Sequence, residues 1–278
     1  AMRAHGLELP FHPLQILSWA VLSLDVLVFA VLVIPVLGSD AARVLIAALF
    51  AASVVTLVIA GAKATLCDPV DPRVLRGAGK DAEGLEADLF RCPCCSCMVH
   101  RTSHHCRSCD KCVEDFDHHC MWLNNCIGRL NYRAFLWSIV SVAAMTGIIL
   151  GSCVAVLVDF ASDPSSFQQR LLDIYGSVSK DTVIGVLISL VIVNLPLWLL
   201  DVQLVILHTF LNFQQLTTFE YIIRKKEQLS MPSQGAETPA ATRATLPRCL
   251  DWIVFSYRRA RKARTIAPLD DSSREAGT

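Results

Sequence analysis

Four long apolar runs constrain the fold of this 278-residue chain more than any other feature. Leu14 to Ile34 carries one charge, Asp25, while Val44 to Ala62 and Ala134 to Val158 carry none. Thr182 to Leu207 contains Asn194, Pro196 and Asp201. A helix needs about 20 mostly apolar residues to cross a bilayer, and helices of water-soluble proteins rarely run this far without a polar face. The 53% hydrophobic and 18% charged content therefore reflects spans rather than a large soluble core, and it excludes disorder. The first run is too long for a cleavable signal peptide, and no small-residue cleavage site follows it. The expected fold class is an α-helical membrane protein with four transmembrane helices.

Lys and Arg in the connections set the orientation of such a bundle. Gly38–Arg43 holds one basic residue and Asp159–Asp181 holds two, whereas Lys63–Arg133 holds ten and the tail after the fourth run eleven. Both termini and the long central segment are expected in the cytoplasm. The chain divides into residues 1–62 with spans one and two, 63–133 with a cysteine-rich domain over 91–133, 134–207 with spans three and four, and a C-terminal region, 208–278. Asp25, Asn194 and Asp201 are the polar residues inside the runs. Intramembrane carboxylates are functional candidates by default, with a partnered carboxylate in the bundle as the equal alternative. Three scattered polar groups are too few for a solute pathway.

The cysteines are as unevenly placed as the apolar residues. Of twelve, eight lie between Cys92 and Cys120, and Cys126 adds a ninth; five histidines share the segment. On a cytoplasmic face thiols are kept reduced, so disulfides are the weaker account. Cys-x2-Cys spacings let two thiolates from one tight turn reach one zinc ion. They occur at Cys92/Cys95, Cys94/Cys97, Cys106/Cys109 and Cys109/Cys112. Two closed tetrahedral sites need eight ligands, so some of these residues are spare, and spacing does not say which. Cys92/Cys95 and Cys94/Cys97 are equally good pairs.

At Asp117-His118-His119-Cys120, with Trp122, Asn125-Cys126 and Asn131-Tyr132-Arg133-Ala134-Phe135 following, the chain resembles the DHHC protein S-acyltransferases, or palmitoyltransferases. Thr217-Thr218-Phe219-Glu220 is similar to that family's Thr-Thr-x-Glu motif. The resemblance implies four spans with the cysteine-rich domain between the second and third. It implies two structural zinc ions, one on Cys92, Cys95, His105 and Cys112, the other on Cys106, Cys109, His119 and Cys126. Cys94, Cys97, His100, His104, His118 and Cys120 are then spare. The family's Lys-Pro-x-Arg stretch is absent here, replaced by Val99-His100-Arg101-Thr102. Its Asp-Pro-Gly reads Asp68-Pro69-Val70, with a second Asp-Pro at Asp71-Pro72.

The activity implied is transfer of a long-chain acyl group, palmitoyl being the expected one, from acyl-CoA through an acyl-Cys120 intermediate. The acceptors are cysteines of membrane-associated proteins. Cys120 is the expected nucleophile, His118 the general base and Asp117 the group orienting His118. Arg129, Arg133 and Lys111 are candidate contacts to CoA phosphates, with a solvated basic face as the alternative. The implied setting is a multi-pass protein of the endomembranes, ER or Golgi. A zinc-stabilised membrane adaptor with little transferase activity is the competing class. A nucleic-acid reader is disfavoured by the bilayer and by 25 basic against 25 acidic residues. In the tail, Ser230–Pro247 reads as a linker and Cys249–Arg264 as an interfacial segment.

Overall fold

The computed structural model describes residues 2–76 and 89–230; the linker and interfacial segment expected in the tail lie outside the described residues, Ser230 apart. Among the described residues, four helices are long and apolar enough to cross a membrane: α1 (Pro13–Val36), α2 (Asp40–Leu66), α4 (Tyr132–Ser162) and α6 (Lys180–Phe213). Shorter helices are α3 (Pro72–Arg76), α5 (Pro164–Tyr175) and α7 (Thr218–Ser230). Between α3 and α4 lie six strands: β1 (Leu89–Arg91), β2 (Met98–His100), β3 (His104–Cys106), β4 (Lys111–Val113), β5 (His118–Cys120) and β6 (Asn125–Ile127). They pair as three antiparallel hairpins, β1–β2, β3–β4 and β5–β6.

Helix α4 is the most buried of the four long helices and packs against both α2 and α6. Phe29 and Val33 of α1, Phe50 of α2, Met145 and Ile149 of α4 and Leu187 of α6 form the core at the end away from the hairpins. Outward-facing Val44, Leu45, Val58, Ile192, Leu200 and Ile206 are exposed, an apolar surface suited to lipid rather than water. Asp25 and Asn194 meet inside the bundle, where the Asn194 amide donates to Asp25 Oδ1 at 3.0 Å. Asp25 is thus a partnered carboxylate. Asp201 Oδ2 is buried and finds no partner among the described residues.

Hydropathy alone makes residues 159–181 a charge-poor connection. The structure folds part of it into α5, whose Phe167 and Leu171 enter the core. Arg170 donates to Asp159 at 2.6 Å and to the Val36 carbonyl at 2.9 Å, closing the end of α1. Helix α6 likewise continues past the last apolar run through His208 to Phe213, because a polar turn at a helix end lowers hydropathy without ending the helix.

The hairpins have little apolar core; many of their buried residues are cysteines, joined by Val99, Val113 and Ile127. Polar anchors fix them to the bundle instead. The last carbonyls of a helix lack intrahelical partners. At the end of α2 the Asn125 amide donates to the Ala64, Thr65 and Cys67 carbonyls at 3.1, 3.2 and 2.8 Å. Asn131 adds a bond to Ala64 O at 3.1 Å and one to Cys126 O at 2.9 Å. Buried Asp71 accepts from His100 N–H at 2.9 Å and Ser103 Oγ at 2.6 Å. The N-terminal segment crosses the same junction: Arg3 N–H bonds Cys109 O at 2.9 Å and Gly6 N–H bonds Thr65 O at 2.8 Å. A Cβ on Gly6 would lie 2.0 Å from the Leu123 carbonyl oxygen, so only glycine fits there.

Asn125 serves three carbonyls at once, so Asn125→Leu should cost about 1–3 kcal/mol or more. Thermal unfolding in detergent checks this; an unchanged transition would show that the anchor does not hold the hairpins.

Candidate active site and metal centres

Successive side chains of a strand point to opposite faces. His105 and Cys106 are neighbours in β3, and His119 sits between His118 and Cys120 in β5. Across the hairpins, His105 pairs with Cys112 and His119 with Cys126. Hairpin β3–β4 therefore offers His105 and Cys112 on one side, and Cys106 with Cys109 on the other. The first pair meets Cys92 and Cys95 from the β1–β2 turn; the second meets His119 and Cys126 from β5–β6. All four ligand atoms of each group lie within 4.8 Å of one another.

The spacings suit a metal. Cys95 Sγ lies 3.4 Å from Cys112 Sγ, and His119 Nδ1 lies 3.4, 3.7 and 3.8 Å from the sulfurs of Cys109, Cys126 and Cys106. Ligands about 2.3 Å (S) and 2.0 Å (N) from one zinc define a tetrahedron with edges of roughly 3.5–3.8 Å. Without a cation such crowded thiols oppose one another. Hydrogen bonds from Cys109 and Cys126 drive the Cys106 thiol down, and the same neighbourhood drives Cys126 up. These two groups are the ligand sets that the resemblance implies.

The spare residues have other surroundings. Cys94 is exposed, and the Cys97 thiol donates to Cys95 O at 3.2 Å. His100 receives a hydrogen bond from Arg73 at 3.3 Å. His104 lies against Phe116 and Phe219, with ring centroids 5.0 and 4.4 Å apart, and burial pushes it down to about 4.

On the other face of β5, His118 Nδ1 and Asp117 Oδ2 are 2.6 Å apart, and Cys120 is the other neighbour whose charge favours the imidazolium. Burial disfavours a charged imidazole here, but the contacts with Asp117 and Cys120 outweigh it and push His118 up to about 9. Burial likewise opposes the Asp117 charge, and His118 overrides it, holding the carboxyl below its ordinary value. Cys120, 6% exposed, belongs to a buried cluster with Ala64 of α2 and Phe135 and Ile139 of α4, against which Leu204 and Val205 of α6 pack. Its thiol thus sits where the hairpins meet the helix bundle.

The Thr-Thr-x-Glu stretch acts through backbone. Thr217 N–H donates to Glu220 Oε2 and Glu220 N–H donates to Thr217 Oγ1, both at 3.2 Å. This reciprocal pair is a capping box that starts α7. The Thr218 N–H, next in line, donates to Asp117 Oδ1 at 2.7 Å, so a helix N-terminus faces the carboxylate, a favourable pairing of dipole and charge.

Sequence reasoning missed His208 and gave Tyr132 no role beyond its place in the motif. His208 is 1% exposed, its Nδ1 lies 3.1 Å from the Tyr132 hydroxyl, and its ring centroid lies 6.0 Å from that of His118. One nitrogen of His208, one of His118 and an Asp117 oxygen lie within 4.8 Å of one another. The available signal was periodicity: Leu204, His208 and Leu211 share one face of α6. The expectation for Lys111 needs correction. It is fully buried, and its ammonium donates to Asp68 Oδ1 at 2.6 Å and Ala4 O at 3.0 Å, out of reach of any CoA phosphate. Arg129 is exposed and paired with Glu114. Arg133 is exposed and borders a groove between α2 and α4.

Comparison with known proteins agrees with this architecture. The family model for the DHHC palmitoyltransferase matches residues 88–225. The chain is 30% identical over 262 residues to the human palmitoyltransferase ZDHHC11, covering 84% of this chain and 62% of that protein. It is also 30% identical over 262 residues to the human probable palmitoyltransferase ZDHHC11B, covering 84% of this chain and 69% of that one. A probable protein S-acyltransferase 20 of Arabidopsis thaliana is 27% identical over 171 residues, 58% of this chain and 23% of that protein. The chain thus spans under two thirds of the first of these relatives. With the DHHC tetrad, the paired Cys3His groups and the four apolar helices in place, the chain belongs to the DHHC palmitoyltransferase family.

Proposed function

We propose that the chain is a protein S-acyltransferase that moves a long-chain acyl group, palmitoyl first among candidates, from acyl-CoA to cysteine thiols of membrane-associated proteins. The observation that carries this reading is the β5 alternation, with His119 in a metal-binding group and His118 and Cys120 together on the opposite face. A histidine beside a cysteine and held by a carboxylate is the nucleophile–base–orienter arrangement.

In the first step the Cys120 thiol gives its proton to His118 and its sulfur attacks the thioester carbonyl carbon. The C–S bond to CoA breaks, the CoA sulfur takes the proton, and Cys120 carries the acyl group. In the second step His118 accepts the proton of the incoming substrate thiol. That thiol's sulfur takes the acyl carbon, and Cys120 recovers its proton. One thioester replaces another at each stage, so the transfer needs no outside energy source. The acyl chain, worth about 0.8 kcal/mol per buried CH2, has its place among the helices beside Leu204 and Val205. Arg129 is the remaining basic candidate for CoA phosphates, since Arg133 borders the groove between α2 and α4.

Two zinc ions, one on Cys92, Cys95, His105 and Cys112 and one on Cys106, Cys109, His119 and Cys126, supply folding energy to hairpins with little core of their own. The basic connections support a cytoplasmic side for both termini and the hairpins, with an endomembrane, ER or Golgi, as the membrane and protein substrates presenting their cysteines on that face.

Purified in detergent and given labelled palmitoyl-CoA, the chain should take up hydroxylamine-sensitive label on Cys120. Equal labelling of Cys120→Ser would sink the assignment. Asp117→Asn keeps the shape but releases the histidine, so acyl-enzyme formation should slow by about 10²–10⁴-fold. An undiminished rate would remove Asp117 from the mechanism. Elemental analysis should return close to two zinc ions per chain, and chelation should unfold the hairpins. A value near one or zero would contradict the paired sites.

A further inference from the structure

A groove of about 990 Å³ runs between α2 and α4 at the end nearest the hairpins, at the upper limit of the roughly 300–1,000 Å³ usual for ligand pockets. Its walls are largely apolar, with Ile59 and Leu66 on α2 and Trp137 on α4, while Lys63 and Arg133 stand at its rim. Trp137 is 60% exposed, as expected of an aromatic at a membrane–water boundary. The polar side chains lining the groove are otherwise engaged: Thr56 Oγ1 donates to Ala52 O at 2.8 Å, and the Asn131 amide serves Ala64 and Cys126. Lys63 and Arg133 have no carboxylate within salt-bridge distance among the described residues.

The groove borders the Cys120 cluster at Ala134 but otherwise lies on another side of α4. Cys120 packs against the face of α4 that carries Tyr132, Phe135, Leu136 and Ile139, whereas Arg133 and Trp137 point to the groove side. At 100° per residue Arg133 and Trp137 lie on a different face of the helix from the cluster residues, so the charged side of the groove faces away from the thiol. This disfavours acyl-CoA as the occupant.

We infer that the groove binds one anionic phospholipid, its acyl chains along Ile59, Leu66 and Trp137 and its phosphate between Lys63 and Arg133. Two unpaired cations above an apolar wall match a negative headgroup above a hydrocarbon tail, and basic pockets between spans on the cytoplasmic side bind such headgroups. Long basic side chains near helix ends reach that level by extending along the apolar surface. The inference rests on the membrane reading of the four helices but not on acyl transfer, so it stands or falls independently of Cys120.

The test uses the full chain in phosphatidylcholine nanodiscs containing a minor fraction of phosphatidylserine, with bound lipid counted by native mass spectrometry. One phosphatidylserine should be retained per chain in preference to phosphatidylcholine. The double substitution Lys63→Gln and Arg133→Gln should weaken retention by roughly ten- to thirtyfold. Thr56→Trp, which fills the groove without touching a charge, should also displace the lipid. Equal retention by the double variant, or no preference for the anionic lipid in the parent chain, would overturn the inference. Displacement of phosphatidylserine by a hydrolysis-resistant palmitoyl-CoA would make the groove a donor site and overturn it as well.

Discussion

The site depends on the two-residue period of a three-residue strand. His119 joins Cys106, Cys109 and Cys126 in one compact group, and a strand fixed there must turn the residues on either side of His119 the other way. That geometry brings His118 to Cys120 and aims both at the helix bundle. A one-residue slip of β5 against β6 would reverse the arrangement, placing His118 and Cys120 on the metal side. The Cys3His group and the His118–Cys120 pair are two faces of one register.

The same economy links the hairpins to the spans. Asn125 lies opposite Cys120 across the β5–β6 hairpin, and its amide closes the last carbonyls of α2. The residue facing Cys120 is therefore the one that attaches its hairpin to the bundle. On the other side, the capping box of Thr217 and Glu220 starts α7 and brings the Thr218 N–H to Asp117. Asp117 is thereby held from its backbone neighbour helix while it holds His118. Strands too short to form a stable sheet alone are fixed by helix carbonyls and a helix N-terminus, and carry two clusters that could hold a metal.

Much of this was legible in the sequence. The four apolar runs announce the four long helices because lipid-facing and core-facing positions are both apolar, leaving no ambiguity of period. The two Cys3His groups follow from the family pattern, whereas Cys-x2-Cys spacing alone left Cys92/Cys95 and Cys94/Cys97 equivalent; the fold separates them, with Cys94 exposed and Cys92 buried. Charge counting placed Lys111 with the exposed basic residues, yet Asp68 and the Ala4 carbonyl bury it, a pairing across sequence distance that no local signal reveals. Helix α5 escaped because a short amphipathic helix barely registers in hydropathy. His208 escaped because its meaning lies in being brought beside Tyr132 and His118 by helix packing.

Everything proposed for this site requires Cys120 to stay off the metal while its neighbour His119 binds it. Zinc-edge X-ray absorption tests it directly, by comparing the parent chain with Cys120→Ser. The account predicts an average of three sulfurs and one nitrogen per ion from the two ligand groups, unchanged in the variant. A drop in the mean sulfur number on replacing Cys120 would show that this cysteine is a ligand, and would contradict the account.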